Sequence, residues 1–361
     1  MKVLALASYP VEAAATRYRL HQFIAPLAER GITLTVHPFV DSQLFASLYR
    51  RQEWPRTVRG LLRSAVRRLN DVWDARGADV LLVQREAMMI GPPLVEWLIT
   101  KVGRCPMVLD LDDATYVRYL SPTYGRLGSA VKWFGKTDDL IGWAKIVTCG
   151  NRSIAAYVAG KGVRAVIIPT VVDTDIFHPR PAAPLADVPL LGWIGTHSTY
   201  PYLESIFPAL QQLARSHRFR LRVVGSGREN INVQGVEVEN PAWNLAREVH
   251  DFQSLDIGLY PIVADDWATG KSGFKAIQYM SVGVPFVVTP VGECAEIGLA
   301  GSTHLTATSR DEWAASLGRL LSDAALRESM GAAGRRYALE HYTVAAQADK
   351  LSDALHAAMR A

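Results

Sequence analysis

The sequence predicts an α/β fold built from two Rossmann-like parallel-sheet domains. The chain has 361 residues, more than a single hydrophobic core usually holds, so we expect two domains. Short apolar strand patterns alternate with helical patterns in both halves, and this βαβ rhythm is typical of parallel sheets. Between the two series, four prolines crowd into a short stretch that predicts a linker: Pro179, Pro181, Pro184 and Pro189.

Apolar runs place the individual elements. The first series of predicted strands covers residues 2–7, 32–39, 80–84, 107–111, 146–149 and 165–168, and the second covers 190–195, 220–225, 233–238, 257–260 and 285–289. Helices are predicted over 16–30, ending at Gly31, and from about Phe274. We therefore expect an N-terminal domain over 1–180, a C-terminal domain over 181–342, and a last helix over 343–361 that packs back on the first domain.

Composition narrows the class of protein. With 49% hydrophobic and 20% charged residues, the chain is expected to be globular throughout. No run of eighteen apolar residues occurs, and the apolar start leads directly into polar sequence, so we expect neither a transmembrane helix nor a signal peptide. Three widely spaced cysteines fit reduced, buried thiols better than disulfides or a metal site. A cytoplasmic protein is the expectation.

Positive charge is concentrated in one segment of the first half. Residues 1–175 carry a net charge of +7 and the remainder −3. The segment Arg50 to Leu69 holds seven arginines against Glu53, with Trp54 in front and apolar residues at helical spacing: Leu61, Leu62, Ala65, Val66 and Leu69. It is predicted either to lie on an anionic membrane surface or to be an ordinary helix with a solvated arginine face. Nucleic acid is not an expected partner, because no recognition motif is present.

The stretch from Thr269 to Gly292 predicts an anion site. It consists of a loop with Lys271, a helix that begins with Phe274 and Lys275, a turn at Gly283, and an apolar strand. Backbone N–H groups and the positive end of the helix dipole point toward the same place as the lysines. A ligand that carries phosphate is therefore expected.

This stretch resembles the signature of the retaining GT-B glycosyltransferases of the family 4 type, whose usual form is E, seven residues, E-A-M-A-x-G-x-P-V-V. The matching residues are Gly273, Gln278, Tyr279, Met280, Ser281, Gly283, Pro285 and Val287, with Glu296 beyond the strand. Gly270 and Gln278 stand where the family has glutamates that hold the donor sugar and the ribose. The resemblance implies that the Gln278 amide binds the ribose. Asp265, Asp266 and Lys271 are candidates for the lost sugar contact.

Further segments extend the resemblance along the chain. They are Pro169 to Asp173 with Phe177 and Pro179, Gly150-Asn151, Val224 to Gly227, and the opening run LLGWIG. It implies the GT-B architecture, in which two Rossmann-like domains face a central cleft. The family's arginine and lysine for the donor diphosphate fall on Thr196 and Tyr202. We therefore expect other groups to bind the diphosphate: backbone after Gly195, Lys275, and the loop of Lys271, Ser272, Gly273 and Phe274. The base is expected near Asn240.

Three carboxylates end a strand of the first domain. Asp110, Asp112 and Asp113 should project from the carboxyl end of the sheet, where their mutual repulsion would raise at least one pKa. They are predicted to orient an acceptor hydroxyl or to act as a general base, unless they serve as caps and salt bridges. Other residues at strand ends are candidate acceptor contacts: Tyr9, Arg17, Arg85 and Glu86.

The resulting hypothesis is a retaining, metal-independent glycosyltransferase. It would move a sugar from a nucleotide diphosphate donor to a hydroxyl of a glycan, lipid-linked or secondary-metabolite acceptor, with Asp112, Asp113 and Lys275 as catalytic residues and no cofactor. One alternative is a haloacid-dehalogenase-like phosphatase that uses Asp110 and Asp112, since DLDDAT nearly matches D-x-D-x-T. A non-hydrolysing nucleotide-sugar epimerase and a catalytically silent GT-B binding protein are the others.

Overall fold

The computed structural model describes residues 1–48, 51–118, 125–181, 187–264 and 270–360. Two compact units are present. The first comprises Met1–Thr170, Gly270–Ser272 and Val344–Ala361, and the second comprises Val171–Thr269 and Gly273–Thr343. Of the predicted linker prolines, Pro184 lies outside the described residues, as do Arg50, Asp265 and Asp266.

The first unit contains a six-stranded parallel sheet, as predicted. Its strands are β1 (Lys2–Ala7), β2 (Thr33–Pro38), β3 (Val80–Gln84), β4 (Met107–Leu111), β5 (Ile146–Cys149) and β6 (Ala165–Ile167). They lie in the order β2-β1-β3-β4-β5-β6. Strands β3, β4 and β5 are buried along their whole length, which explains their continuous apolar runs.

Helices surround this sheet. They are α1 (Ala14–Arg19), α2 (Ile24–Glu29), α3 (Ser42–Ser47), α4 (Trp54–Asp74), α5 (Leu94–Trp97), α6 (Gly125–Lys132), α7 (Lys136–Trp143) and α8 (Arg152–Gly160). The single helix predicted over 16–30 is wrong, because a 3₁₀ turn at His21–Phe23 separates α1 from α2. Pro26 lacks an N–H group and so cannot continue the hydrogen-bond series from α1 into α2.

Arg68, in the middle of α4, is a structural residue rather than part of a solvated arginine face. It is 1% exposed and donates to the carbonyl oxygens of Ala7, His37 and Ala87 at 2.8, 2.9 and 3.0 Å. Its guanidinium also contacts Asp71 at 2.7 Å. These bonds fix α4 against the carboxyl ends of β1 and β2 and the segment after β3.

The second unit contains another six-stranded parallel sheet. Its strands are β7 (Leu190–Ile194), β8 (Arg220–Val224), β9 (Glu237–Glu239), β10 (Ile257–Tyr260), β11 (Phe286–Val288) and β12 (Leu305–Thr306), in the order β12-β11-β10-β7-β8-β9. The strand predicted over 233–238 is wrong in its first part, because Gly235 adopts a φ of 81° and turns the chain. The short strand β12 was not predicted.

The remaining helices are α9 (Tyr200–Glu204), α10 (Phe207–Leu213), α11 (Glu248–Gln253), α12 (Phe274–Ser281), α13 (Arg310–Ser322), α14 (Ala324–His341) and α15 (Val344–Arg360). Helix α15 belongs to the first unit and packs against α2 and strands β3, β4 and β5. Arg30 and Asp349 form an ion pair of 2.7 Å between α2 and α15. Among the described residues, none of the helices combines the length and apolar character that crossing a bilayer requires.

The strand order locates the ligand-binding edge of each sheet. The order reverses between β1 and β3 in the first unit and between β7 and β10 in the second. In open α/β sheets, ligands bind outside the carboxyl ends of the strands at such a switch point. In the second unit, the buried hydroxyl of Tyr279 lies 3.1 Å from the Gly192 carbonyl of β7 and 3.2 Å from the Leu259 carbonyl of β10. These contacts fix α12 over the switch-point strands.

Candidate active site

Asp110 lies inside the first unit. It is 4% exposed, its carboxylate forms a two-point ion pair with the Arg19 guanidinium, and it accepts from the Thr148 hydroxyl at 2.6 Å. Arg19 also donates to the Ile168 carbonyl at 2.5 Å. Both carboxylate oxygens of Asp110 are therefore occupied, and the residue connects β4 to α1, β5 and the end of β6.

Arg85 gathers the other two aspartates after β4. Its Nε and Nη2 donate to the two oxygens of Asp112 at 2.5 and 2.6 Å, and Nη2 also donates to Asp113 at 2.6 Å. The Asp112 side chain is 7% exposed and that of Asp113 is 26% exposed. Asp113 is thus the more exposed carboxylate of the two. Asp112 fixes the orientation of Arg85.

The two carboxylates titrate in opposite directions. Burial alone would raise the pKa of Asp112, but the paired Arg85 guanidinium holds this pKa below its ordinary value. Burial raises the pKa of Asp113, and repulsion from Asp112 adds to the increase, so that the nearby Arg85 and Lys271 charges do not restore it. Asp113 is therefore the better proton acceptor of the pair.

A short loop carries Lys271 into the same unit. The Asn151 Nδ2 donates to the carbonyl oxygens of Gly270 and Lys271 at 2.9 and 3.2 Å, while its Oδ1 accepts from the Ile154 N–H at 2.8 Å and caps α8. A Cβ at Gly270 would lie 2.2 Å from the Ala114 methyl group. A glutamate at position 270 therefore has no room. Lys271 and Ser272, predicted to bind the donor, belong to the first unit.

Glu86 has different partners from Arg85. It is 7% exposed, and its carboxylate contacts the amines of Lys132 and Lys136 at 3.1 and 2.7 Å. Burial would raise its pKa, but the two lysines lower it below the ordinary value. The sequence does not indicate these two partners, because both lysines follow Glu86 only after a long interval and belong to no motif. The sequence signal for Glu86 itself is its position just after the carboxyl end of β3.

Tyr9 and Arg17 lie at the carboxyl end of β1. Tyr9 packs edge to face on Phe45, with ring centroids 5.7 Å apart, and acts electrostatically on Arg85. The Arg17 guanidinium donates to the carbonyl oxygens of Val11 and Glu12, both at 3.0 Å. Tyr9 thus joins the Arg85 group, whereas these bonds of Arg17 hold its own loop.

In the second unit, α12 begins with an unusual N-terminus. Gly273 precedes the helix with a φ of 65° and offers no side-chain cap to the first-turn N–H groups. The Lys275 amine donates to the Gln278 Oε1 at 2.9 Å and lies 5.1 Å from the Phe252 ring centroid. Gln278 is 0% exposed, and its Nε2 has no hydrogen-bond partner among the residues that the structure describes. A buried, unsatisfied donor is costly unless a ligand completes it.

Tight backbone packing shapes the loops after β7 and β8. A Cβ at Gly225 would lie 2.5 Å from the Gly195 carbonyl oxygen, and the Gly195 N–H donates to Val224 at 3.1 Å. Thr196, next to Gly195, has its hydroxyl 2.9 Å from that of Ser198. Backbone rather than long side chains therefore lines this part of the edge.

Asn240 holds the neighbouring glycine-rich turn. Its Oδ1 accepts from the Ser226 hydroxyl at 3.0 Å and its Nδ2 donates to the Arg228 carbonyl at 2.8 Å. A cavity of about 550 Å³ adjoins it, lined by Arg222, Glu239, Asn240, Pro241, Arg247 and His250. This is the region where the sequence predicts the base.

Comparison with known proteins links part of the second unit to a family. Residues 189–323 match the family described as glycosyl transferases group 1. No curated protein matches the chain significantly. The match covers much of the second unit, including α12 and the cavity beside Asn240.

Solved glycosyltransferase structures share the fold over nearly the whole chain. A glycosyltransferase from Rickettsia africae has a TM-score of 0.71 at 13% identity, covering 99% of this chain and 98% of its own. HepE from Anabaena, solved in complex with UDP-glucose, has a TM-score of 0.69 at 14% identity and 99% coverage of both chains. The sucrose-phosphate synthase of Thermosynechococcus elongatus has a TM-score of 0.65 at 13% identity, with 98% of both chains covered.

The contacts of Asp110 disfavour the phosphatase alternative. Its nucleophile would be Asp110, whose oxygens are held by Arg19 and Thr148 inside the unit. Two parallel six-stranded Rossmann-like sheets, the family match in the second unit and the glycosyltransferase neighbours agree with one another. The chain has the GT-B fold, and its second unit contains a segment that matches the group 1 glycosyl transferases.

Proposed function

We propose that the protein transfers a sugar, with retention of anomeric configuration, from a nucleotide diphosphate donor to an acceptor hydroxyl. The observation that carries the donor assignment is the start of α12. The N-terminus of α12, the Lys275 amine and the Gln278 Nε2, which has no partner among the described residues, lie together there, inside the segment that matches the family. HepE, of the same fold, was solved with UDP-glucose, which supports a nucleotide sugar as donor.

Each group at α12 has a place in donor binding. The helix N-terminus and Lys275 meet the diphosphate, whose negative charge grows as the glycosidic bond breaks. The Gln278 amide, which now accepts from Lys275, gains a ribose hydroxyl as the partner of its Nε2. The base enters the region of Asn240. Because the protein supplies the counter-charge, we propose that transfer needs no divalent metal.

The acceptor chemistry is proposed for the first unit. Asp113, partly exposed and with a raised pKa, orients the acceptor hydroxyl and receives its proton. Asp112 and Arg85 hold Asp113 in place, and Tyr9 and Lys271 complete the group. Glu86, with its two lysines, is a structural neighbour of this group. The acceptor class is a glycan, lipid-linked or secondary-metabolite hydroxyl, as in polysaccharide biosynthesis, with the protein working in the cytoplasm or at the inner face of the membrane.

Nucleotide binding tests the donor assignment directly. Thermal unfolding of the intact protein is followed with UDP, GDP, ADP, CMP and dTDP, since a ligand that binds only the native state raises the midpoint. We expect one nucleoside diphosphate to raise it clearly. Gln278→Leu should weaken that nucleotide at least tenfold, because the amide contact is lost. Gln278→Glu should stay within a few-fold, since a carboxylate also accepts from a ribose hydroxyl.

Two results would contradict the proposal. If none of the nucleotides changes the unfolding midpoint, the α12 site does not bind a donor. If a nucleotide binds but neither transfer nor donor hydrolysis occurs with its sugar conjugates across glycan and lipid acceptors, the protein is the catalytically silent GT-B binding module. Asn240→Ala tests the base region separately. We expect it to weaken nucleotide binding although Lys275 is unchanged.

A further inference from the structure

Helix α4 turns large apolar side chains away from the first unit. They recur at every third or fourth position, so that they share one side of the helix. Each is between 47% and 68% exposed: Trp54, Val58, Leu62, Val66, Leu69 and Trp73. We call this set the apolar stripe.

The inward side of α4 is composed in the opposite way. The residues buried against the unit are small or polar: Thr57, Ser64, Arg68 and Asp71. A surface helix ordinarily buries its apolar side and exposes its polar side. In the 21-residue helix α4 the buried positions are polar and the large apolar side chains of the stripe are exposed. Half-buried Val72, outside the stripe, packs against the core of the first unit.

Arginines border the apolar stripe. Arg56, Arg59 and Arg63 follow one another at helical spacing and are exposed. Between Trp54 and Trp73 the sequence contains a single acidic residue, Asp71, which is 6% exposed and bound by Arg68. The outward side of α4 is therefore apolar along one edge and positively charged along the other.

We propose that α4 docks on an anionic phospholipid membrane, with the apolar stripe inserted at the level of the headgroups and the arginines on lipid phosphates. Exposed apolar patches above a few hundred Å² on soluble proteins mark interaction surfaces. Tryptophan prefers the membrane–water boundary, and here it occupies both ends of the stripe. With about 1.5 Å of rise per residue, α4 provides a contact of roughly 30 Å parallel to the membrane plane.

Charge favours lipid over a second copy of the chain as the occupant. An arginine guanidinium forms strong paired hydrogen bonds with a phosphate group, and an anionic bilayer supplies phosphate along the whole helix. A twofold dimer that faces the two stripes with antiparallel helices would bring the two arginine edges side by side. Trp97 and Leu94 on the adjacent helix α5 are also 42% and 51% exposed.

Co-sedimentation of the intact protein with vesicles tests this docking. Vesicles of phosphatidylcholine alone are compared with vesicles that contain equal parts of phosphatidylcholine and phosphatidylglycerol. We expect binding to the anionic vesicles at low salt, several-fold weaker binding at physiological salt, and a remaining fraction at high salt, because inserted apolar side chains are not screened. Binding needs neither donor nor acceptor, so its outcome is independent of sugar transfer.

Matched variants separate the two edges of the helix. Leu62→Gln with Val66→Gln should reduce vesicle binding at least tenfold at every salt concentration. Arg59→Glu with Arg63→Glu should abolish the preference for phosphatidylglycerol. The controls, Leu339→Gln with Leu299→Gln and Arg319→Glu with Arg336→Glu, change exposed residues of the second unit and should bind as the wild type does.

Three outcomes would overturn the proposal. One is wild-type protein that stays in the supernatant at low salt with anionic vesicles. Another is equal binding by the Leu62→Gln, Val66→Gln variant, which would mean that the stripe does not insert. The third is a dimer in light scattering that this variant converts to a monomer, which would identify the stripe as a subunit interface. Unchanged thermal unfolding confirms that each variant is folded.

Discussion

The contact between Gly270 and Ala114 allows a sharp test of why the family's first glutamate is absent. A Cβ at position 270 would lie 2.2 Å from the Ala114 methyl group, but 3.4 Å from the Ala114 Cα and backbone nitrogen. The first distance is far inside van der Waals contact, whereas the others are close to ordinary. Gly270→Ala should therefore overpack the site at a cost of about 1–3 kcal/mol in the free energy of unfolding.

Removal of the Ala114 methyl group should relieve that overpacking. Ala114→Gly alone is expected to cost about 1 kcal/mol, mainly through backbone entropy and a small cavity. In the Ala114→Gly background, Gly270→Ala should cost less than about 0.5 kcal/mol, so that the two changes show a coupling of at least about 1 kcal/mol. Urea unfolding of the four proteins of this double-mutant cycle provides the free energies.

The loop has a second way to respond to Gly270→Ala, which is to move. Hydrogen exchange without nucleotide reports this movement. If residues 270–272 move instead of straining the unit, the Asn151 bonds to Gly270 and Lys271 break. Hydrogen exchange at the loop would then rise in Gly270→Ala and return to normal in the double variant. Equal effects of Gly270→Ala in both backgrounds, in stability and in exchange, would refute the steric explanation.

The remaining predictions concern the proposed chemistry and the response to acid. Lys275→Ala should lower transfer about a hundredfold, the usual scale for losing a charge-stabilising group, and kinetics within threefold of the wild type would contradict its role. Removal of divalent metal by EDTA should leave the activity of the wild type intact. Transfer should fall as the pH drops through the raised pKa of Asp113, and Asp112→Asn should move this acid limb to lower pH, because repulsion between the carboxylates is removed. An unmoved limb would exclude Asp113 as the titrating base. Burial lowers the pKa of His304 to about 4, so between pH 7 and pH 5 the unfolded chain binds a proton at this residue and the native chain does not. The free energy of unfolding should therefore decrease by about 2 kcal/mol over this range. His304→Gln should flatten this dependence in urea unfolding.

Strand positions were predictable where both faces of the sheet are covered. The runs at β1, β3, β4, β5 and β10 are continuous apolar segments, and the structure places these strands at the predicted residues. The run at 233–238 mixes three valines with polar residues, but Gly235 turns the chain there, and Val233 is buried outside any strand. Apolar composition shows that a residue is buried without showing in which element.

The site was predictable as a set of strand ends and not as a set of partners. The sequence indicates that Asp110, Asp112 and Asp113 end β4. It does not show that Arg19 binds Asp110 or that Arg85 binds Asp112. Nor does it show that Asp113 remains partly exposed. These partners come from distant parts of the chain, so no local pattern specifies them. The same holds for the lysines on Glu86.

The two departures from the family signature have different physical meanings. Gln278 is nearly isosteric with glutamate, lies buried and keeps an unpartnered Nε2, so the change alters hydrogen-bond polarity while preserving shape. Gly270 cannot become glutamate while Ala114 holds its place. In the proposed transfer, the sugar contact that the resemblance assigns to this glutamate therefore falls to other groups. Lys271, held beside Asp113 by the Asn151 amide, is the neighbouring side chain in position to contribute, and it brings a positive charge where relatives have a negative one.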